Sequence, residues 1–276
     1  MNRDGYELLD SGGGRKFERF GKWTLVRPCS QALWRPDDPG AWRGATASFD
    51  REDGNRWHGR GALPEEWTIE TAGIRFKLSG TDFGHLGIFP EQRAQWEWIR
   101  GKVKAAGRHV SVLNLFAYSG GATIAAAQGG AEVCHLDASK GMVQWARANA
   151  ALNGLESAPI RWIADDAHKF MRRELRRGRR YDAVILDPPT FGRGTNGEMY
   201  KIERDLQETL ESARGLLSPQ PLFVLFSSHT PGLTRMVAEN VVGQAFPGMD
   251  VESGEMLLEG SGRPCPSGIY CRAVPR

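Results

Sequence analysis

The sequence predicts an α/β protein: a doubly wound, mostly parallel sheet of seven strands behind a small N-terminal β-rich cap. Three observations predict it. From about residue 107 onward, five short apolar runs alternate with stretches of helical period, and strands separated by helices close up as a parallel sheet with crossovers. Two further strand-like segments at the C-terminus, 255–258 and 269–273, read as an antiparallel pair. Before residue 88 the texture is different, with short strands, many Gly, Pro, Asp and Arg, and scattered tryptophans. The expected division is 1–88 for the cap and substrate region and 89–276 for the catalytic domain.

The elements follow in order. Residues 1–35 carry short mixed segments, of which 23–28 reads as a strand ended by proline. Residues 35–66 read as loops and hairpins pinned by Trp34, Trp42 and Trp57. Segments 67–70 and 74–78 form a hairpin around Ala72-Gly73. From Pro90 to about residue 106 the period becomes helical, with Trp96, Ile99 and Val103 on one face. Strands are then expected at 110–116, 131–136, 159–163, 181–186 and 222–226. The helices between and after them are expected at 119–128, 139–152, 165–177, 200–217 and 232–246. Asn153-Gly154 supplies a left-handed cap, and Ser218-Pro219 a stop.

Composition narrows the class. Hydrophobic residues make up 40% and charged residues 25% of 276, enough for a packed core and against full-length disorder. No run approaches the roughly 18 apolar residues of a membrane helix. Residues 1–7 lack the apolar core of a signal peptide, so a cytoplasmic location is expected. Cysteines stand at 29, 134, 265 and 271 with no C-x-x-C pair and no zinc spacing, which reads as reduced thiols and no metal. A net charge of +3 is too mild to specify nucleic acid by itself.

Ligands of such sheets lie at the carboxyl ends of the strands. The first strand runs into Asn114-Leu115-Phe116-Ala117-Tyr118-Ser119-Gly120-Gly121. The paired glycines let a ligand approach the backbone at a helix N-terminus, or serve a tight turn alone. The pattern is not G-x-G-x-x-G, which argues against a nicotinamide dinucleotide. The second strand ends at Asp137, whose carboxylate can accept two hydrogen bonds from a ribose diol, or favour the next helix through its dipole. The third ends at Asp165-Asp166-Ala167, where one carboxylate can accept from an adenine amine and either can cap the helix; Asp166 is favoured for the adenine and Asp165 for the cap. The fourth ends at Asp187-Pro188-Pro189-Thr190-Phe191-Gly192: an acid, two prolines that fix an extended backbone, and an aromatic that can stack on a flat ring.

These segments, with Gly87-Ile88-Phe89-Pro90-Glu91-Gln92-Arg93 and Asp137-Ala138-Ser139, resemble the class I (Rossmann-like) S-adenosylmethionine-dependent methyltransferases of the large-subunit ribosomal RNA type, which include cytosine-C5 and guanine-N7 enzymes. The resemblance runs from about residue 74 to the C-terminus. Asn114 and Phe116 depart from the general methyltransferase signature and match this group's variant. The resemblance implies S-adenosylmethionine as cofactor. Asn114, Phe116, Ala117, Tyr118, Ser119 and Gly120 would cradle its methionine part. Asp137, with Ala138 and Ser139, would hold the ribose, and Asp166, with Ala167, the adenine. Gln92 and Arg93 would close over the cofactor, Arg93 as partner for its carboxylate. Asp187 would face the transferred methyl, with Pro188, Pro189 and Phe191 completing the catalytic loop.

Cytosine-C5 transfer needs a cysteine thiolate to attack the ring. In C5 enzymes of this kind it follows the fourth or fifth strand, where this chain has Pro189-Thr190 and Phe226-Ser227-Ser228-His229. No cysteine lies between 135 and 264. Direct transfer to a base nitrogen of ribosomal RNA, which positioning alone can promote, is therefore the expected reaction. A methyltransferase of a small molecule or protein, or a catalytically idle cofactor-binding assembly factor, are the alternatives. The arginines of 172–180 read as a solvated face or a phosphate grip. Arg193 and Lys201 are better placed for substrate phosphate, and residues 192–197 read as a mobile lid. His229 falls near the site, though a lone His there is more often structural, and His85 is open in the same way.

Overall fold

The computed structural model describes residues 5–51, 54–194 and 197–276, and they fall into two compact units, Met1–Ala94 with Met256–Ser267, and Gln95–Glu255 with Gly268–Arg276.

The first unit holds a five-stranded sheet in the order β1 (Tyr6–Gly12), β2 (Arg15–Phe20), β3 (Trp23–Pro28), β4 (Ala47–Asp50) and β5 (Arg56–His58). Beside it stands the expected hairpin, β6 (Trp67–Thr71) and β7 (Ile74–Leu78). Ala72 and Gly73 at its tip both have left-handed φ, 51° and 69°, the twist a two-residue hairpin needs. Strands β1 and β2 escape the sequence reading because β2 buries charge. Glu18 is fully buried, its Oε2 accepting from Arg27 Nε at 2.8 Å and its Oε1 from Arg27 Nη2 at 3.0 Å, with Lys16 Nζ at 3.3 Å. Such a network tolerates burial only when every member is partnered, and its polar sequence hides a buried strand.

The first unit is built from two separate stretches of the chain. Residues 256–267 return to the first unit because they pair with β1: Leu8 N–H donates to the Glu259 carbonyl at 3.1 Å, and Gly262 N–H to the Leu8 carbonyl at 3.1 Å. Here Cys265 meets Cys29, both buried, with Sγ atoms 3.2 Å apart.

The second unit contains α1 (Arg93–Ala105) from Gln95 onward, then β8 (Ser111–Leu115), α2 (Gly121–Gln128), β9 (Glu132–Asp137), α3 (Lys140–Leu152), β10 (Ile160–Ala164), α4 (Ala167–Arg176) and β11 (Ala183–Leu186). A short hairpin follows, β12 (Phe191–Arg193) and β13 (Met199–Lys201), then α5 (Ile202–Gly215), β14 (Phe223–Ser228), α6 (Arg235–Ala245), β15 (Met249–Leu258) as far as Glu255, and β16 (Cys265–Pro275) from Gly268. The seven-stranded sheet has the order β10-β9-β8-β11-β14-β16-β15. Pairing among β10, β9, β8, β11 and β14 is parallel, and β16 is antiparallel to β14. Strands β11 and β14 are buried at every residue, as apolar runs covered on both faces must be. The chain builds outward from β8 through β9 to β10, then crosses back to β11. The switch point between β8 and β11 is where a doubly wound sheet binds ligands.

Helix α5 begins at Ile202, later than expected, because Met199, Tyr200 and Lys201 pair with Arg193, Gly192 and Phe191. The expected lid is thus largely this hairpin. Its Thr195 and Asn196 lie outside the described residues.

Candidate active site at the strand ends

The loop after β8 is held in an unusual conformation. Phe116 and Tyr118 have φ of 56° and 49°, and Gly120 has 90°. Left-handed non-glycine residues cost about 1 kcal/mol or more each and survive where the surroundings fix them. Here Ala117 N–H donates to the Leu136 carbonyl at 3.0 Å, Tyr118 N–H to Asp137 Oδ2 at 2.9 Å, and Asn149 Nδ2 to the Ser119 carbonyl at 2.9 Å.

Beneath the loop, buried Asn114 donates from Nδ2 to Thr123 Oγ1 at 2.9 Å, and Thr123 Oγ1 meets His135 Nδ1 at 2.9 Å. The Asn114 amide is thus engaged by α2, and it supports the cradle from below. Thr123 and His135 were not singled out by sequence reasoning; only their polarity within apolar segments could have marked them. Burial pushes His135 down to about 3, so it is neutral at physiological pH.

Both glycines are required by packing before any ligand is considered. A Cβ on Gly120 would come 2.9 Å from Ala146 Cβ, and one on Gly121 would come 2.7 Å from the Trp96 indole.

Asp137 joins two elements. Its Oδ2 accepts from Tyr118 N–H, and its Oδ1 from Ser139 N–H at 2.9 Å. Burial pushes this carboxyl above its usual value, against the pull of the two N–H donors. Each oxygen keeps a second lone pair, so the pair can accept both hydroxyls of a vicinal diol; this fits a ribose. Ser139 caps α3, its hydroxyl accepting from Met142 N–H at 3.3 Å, and Ala138 lies half-buried between the two.

At the end of β10 the helix cap is Asp166, where Asp165 was expected. Its Oδ1 accepts from Lys169 N–H at 2.9 Å. Asp165 accepts from Asp166 N–H at 2.8 Å and pairs with Arg173. The reason is geometric: Asp166 has extended backbone, φ −67° and ψ 133°, immediately before the first helical residue, which is where a cap must stand. Asp166 Oδ2 lies 3.1 Å from the position a Cβ would take on Gly194, so the β12–β13 hairpin passes directly over this acid. Ala167 belongs to the buried core.

The hairpin is anchored at two points. Lys169 pairs with Glu198, and the Tyr200 ring packs against Phe116 at 5.3 Å and His168 at 5.8 Å between centroids. Burial pushes the Tyr200 phenol up to about 12. Tyr200 thus ties the hairpin to the loop after β8, a contact no local pattern announces.

The ends of β11 and β14 converge. Asp187 Oδ1 lies 3.6 Å from His229 Nδ1, and the Thr190 and Thr230 hydroxyls are 2.9 Å apart. Pro188 is buried and Pro189 exposed. Phe191 is 48% exposed, so its ring is open to stack on a flat partner. His229, expected near the strand ends, lies there beside Asp187.

The arginines of 172–180 are partly neutralised: Arg173 pairs with Asp165, Arg177 with Glu174, and Arg172 with Glu208 at 3.8 Å. Gln92 and Arg93 belong to the first unit. Gln92 is buried in the turn Pro90–Gln92, and the Arg93 guanidinium lies 3.6 Å from Glu259 and over the Tyr6 ring. Among the described residues no group of three His, Cys, Asp or Glu is placed to hold a metal ion, and no helix is long and apolar enough to cross a membrane.

A strained loop, a diol acceptor and an acid at a helix start, on three successive parallel strands, suit an adenosine-containing cofactor. Comparison with known proteins agrees. The family model described as S-adenosylmethionine-dependent methyltransferase matches residues 48–225. The structure of an S-adenosylmethionine-dependent methyltransferase from Agrobacterium tumefaciens is 41% identical, with a TM-score of 0.93 over 98% of this chain and 90% of that one. A proposed methyltransferase of the same kind from Streptococcus mutans shares the fold, with a TM-score of 0.77 at 18% identity, over 99% of this chain and 76% of that one. Among curated relatives, ribosomal RNA large subunit methyltransferase K/L of Shewanella frigidimarina is 35% identical over 164 residues, 56% of this chain and 21% of the relative. Ribosomal RNA large subunit methyltransferase I of Aeromonas salmonicida is 29% identical over 217 residues, 76% of this chain and 53% of the relative. The chain therefore spans between about a fifth and about half the length of these curated relatives. With the site built as above and the match extending over well over half of its residues, the chain belongs to the family of S-adenosylmethionine-dependent methyltransferases, with S-adenosylmethionine as its cofactor.

Proposed function

We propose that the protein methylates a base nitrogen of ribosomal RNA, in the cytoplasm, by direct transfer. The observation that carries this reading is the convergence of Asp187, His229 and the exposed Phe191 at the ends of two adjacent strands. When bound, S-adenosylmethionine supplies an electrophilic methyl group on a sulfonium. In the chain's part of the reaction, the Asp137 carboxylate and the loop Phe116–Gly120 hold the cofactor. Asp187 accepts a hydrogen bond from the base amine, and Phe191 stacks on the base. Holding both partners in line is itself the catalysis.

The cysteines support nitrogen over carbon-5. In the second unit they are Cys134 and Cys271, both buried, with thiols pushed up by burial to about 11 and about 12. Neither can serve as a thiolate nucleophile near neutral pH. The names of the curated relatives support ribosomal RNA as substrate.

The test is incubation with methyl-labelled S-adenosylmethionine and unmodified ribosomal RNA, followed by mass spectrometry of nucleosides. An N-methylated base is expected. 5-Methylcytosine would overturn the assignment of the atom. Absence of label, with cofactor binding intact, would overturn ribosomal RNA as substrate. Asp187→Ala should reduce transfer by about 100-fold or more while leaving cofactor affinity within a few-fold, a loss of substrate positioning.

A further inference from the structure

The first unit carries a cavity of about 410 Å³ that the proposed transfer does not use. It is lined by Arg15 at the start of β2, Val26 on β3, Trp42 and Arg43 in the turn Ala41–Gly44, Ser48 on β4 and His58 on β5, among others. None of the described residues lining it is acidic. The Arg15 and Arg43 side chains have no hydrogen-bond or ion-pair partner among the described residues. Most other arginines of the molecule do have one: Arg27, Arg19, Arg60 and Arg263 in the same unit are each matched to a carboxylate.

Trp42 is the third component. Its Nε1–H donates to Asp10 Oδ2 at 2.8 Å, and its ring packs on Phe17 at 6.0 Å. Asp10 is itself saturated. It accepts further from the backbone N–H groups of Ser11 at 2.8 Å, Asp37 at 3.2 Å and Asp38 at 3.0 Å. These four donors hold the Asp10 carboxyl below the usual carboxylate range against the cost of its burial. The indole is thus clamped at its polar edge and rigid, and what it offers the cavity is carbon surface.

Two guanidinium groups without a partner among the described residues attract a polyanion, and a rigid aromatic surface attracts a flat ring. Single-stranded nucleic acid presents both at the spacing of one nucleotide. The volume lies in the range of about 300–1,000 Å³ typical of small-ligand sites, suited to a nucleotide and too small for a duplex. We propose that this cavity binds a short single-stranded segment of the RNA substrate, with a base on Trp42 and the flanking phosphates on Arg15 and Arg43. The proposal rests on the reading that the substrate is RNA and deepens it. An acidic peptide would satisfy the arginines and leave Trp42 without a role.

The test is fluorescence anisotropy of a labelled single-stranded RNA on the full chain across a salt series, with methylation of ribosomal RNA measured in parallel. For Arg15→Ala/Arg43→Ala, binding should weaken. The slope of log affinity against log salt should become shallower by about 1.4, since each phosphate contact on a single strand contributes about 0.7. Arg43→Lys should keep the slope. Trp42→Leu should weaken binding by about ten-fold with the slope unchanged, as loss of one stacked base does. Cofactor affinity, read in each variant, reports that the fold is intact. If the double variant binds with unaltered affinity and slope while wild type methylates RNA, the cavity is not the RNA site and the proposed function stands. If wild type neither binds nor methylates RNA, the function falls and the cavity assignment with it. If a polyglutamate peptide displaces the RNA from wild type and binds the double variant more weakly, the occupant is an acidic peptide and the proposal is overturned.

Discussion

Asp137 holds two backbone N–H groups in a half-buried position and still offers two lone pairs. Ribose hydroxyls donating to it favour its ionised form, so cofactor binding pulls its raised value down. Affinity should therefore be full well above the usual carboxylate range and decline as the pH falls through the raised value, by at most ten-fold per pH unit; calorimetric titration at several pH values reads this directly. Asp137→Asn should weaken cofactor binding by about 10–100-fold, the loss of charge-assisted hydrogen bonds worth about 1.5–3 kcal/mol. His135 makes a separate prediction about stability. Its value in the folded chain is about 3, against 6.5 when unperturbed. The unfolded chain thus takes up a proton first as the pH falls. The stability His135 contributes is complete above 6.5 and is lost toward pH 3, by up to about 1.4 kcal/mol per pH unit. Urea denaturation across that window should show a slope in wild type that is reduced in His135→Gln. Asp165 and Asp166 illustrate the limit of reading residues alone. The two are adjacent and chemically identical, and only the backbone dihedrals select which one caps α4.

Because Asp166 is both helix cap and adenine candidate, its two roles must be separated by substitution. Asp166→Ala should cost about 1 kcal/mol through the lost cap, a melting shift of roughly 2–4 °C for a chain of this size. Asp166→Ser keeps a capping oxygen and removes the charge. If Asp166 holds the adenine amine, this variant should retain the melting temperature and lose cofactor affinity. Helix α2 offers a second test. Gly121→Ala places a methyl 2.7 Å from the buried Trp96 indole and should cost about 1–3 kcal/mol by overpacking. A smaller ring in Trp96→Phe should recover part of that loss, and thermal denaturation of both variants decides it. Strand and helix positions in the second unit were legible because hydrophobic period is a local property. Ser139 at the start of α3 and Gly154 (φ 68°) beyond its end stand where capping chemistry demands. The β12–β13 hairpin was not legible: three-residue strands carry too little period, and its anchors, Tyr200 on Phe116 and Glu198 on Lys169, are distant in sequence.

At the scale of the whole molecule, the alternation of strand and helix settles the parallel sheet, and the sheet settles where the chemistry stands, because crossover connections have one hand and ligands bind at the carboxyl ends. The family followed from motifs lying at those ends. The first unit did not follow in the same way. Its strand β2 alternates charge with phenylalanine, and the buried network of Glu18, Arg27 and Lys16 replaces the apolar signature that marks a core strand. Residues 256–267 join that unit through backbone pairing with β1 across most of the chain's length, and Cys265 finds Cys29 instead of the nearby Cys271. Local period and residue type were enough to read the sheet, its element order and the acids at its strand ends. Which acid caps, that Asn114 supports the loop from below, that His229 comes within 3.6 Å of Asp187, and which arginines lack a partner among the described residues all follow from the tertiary structure. Each of those depends on the distance between groups far apart in the chain, which no local pattern encodes.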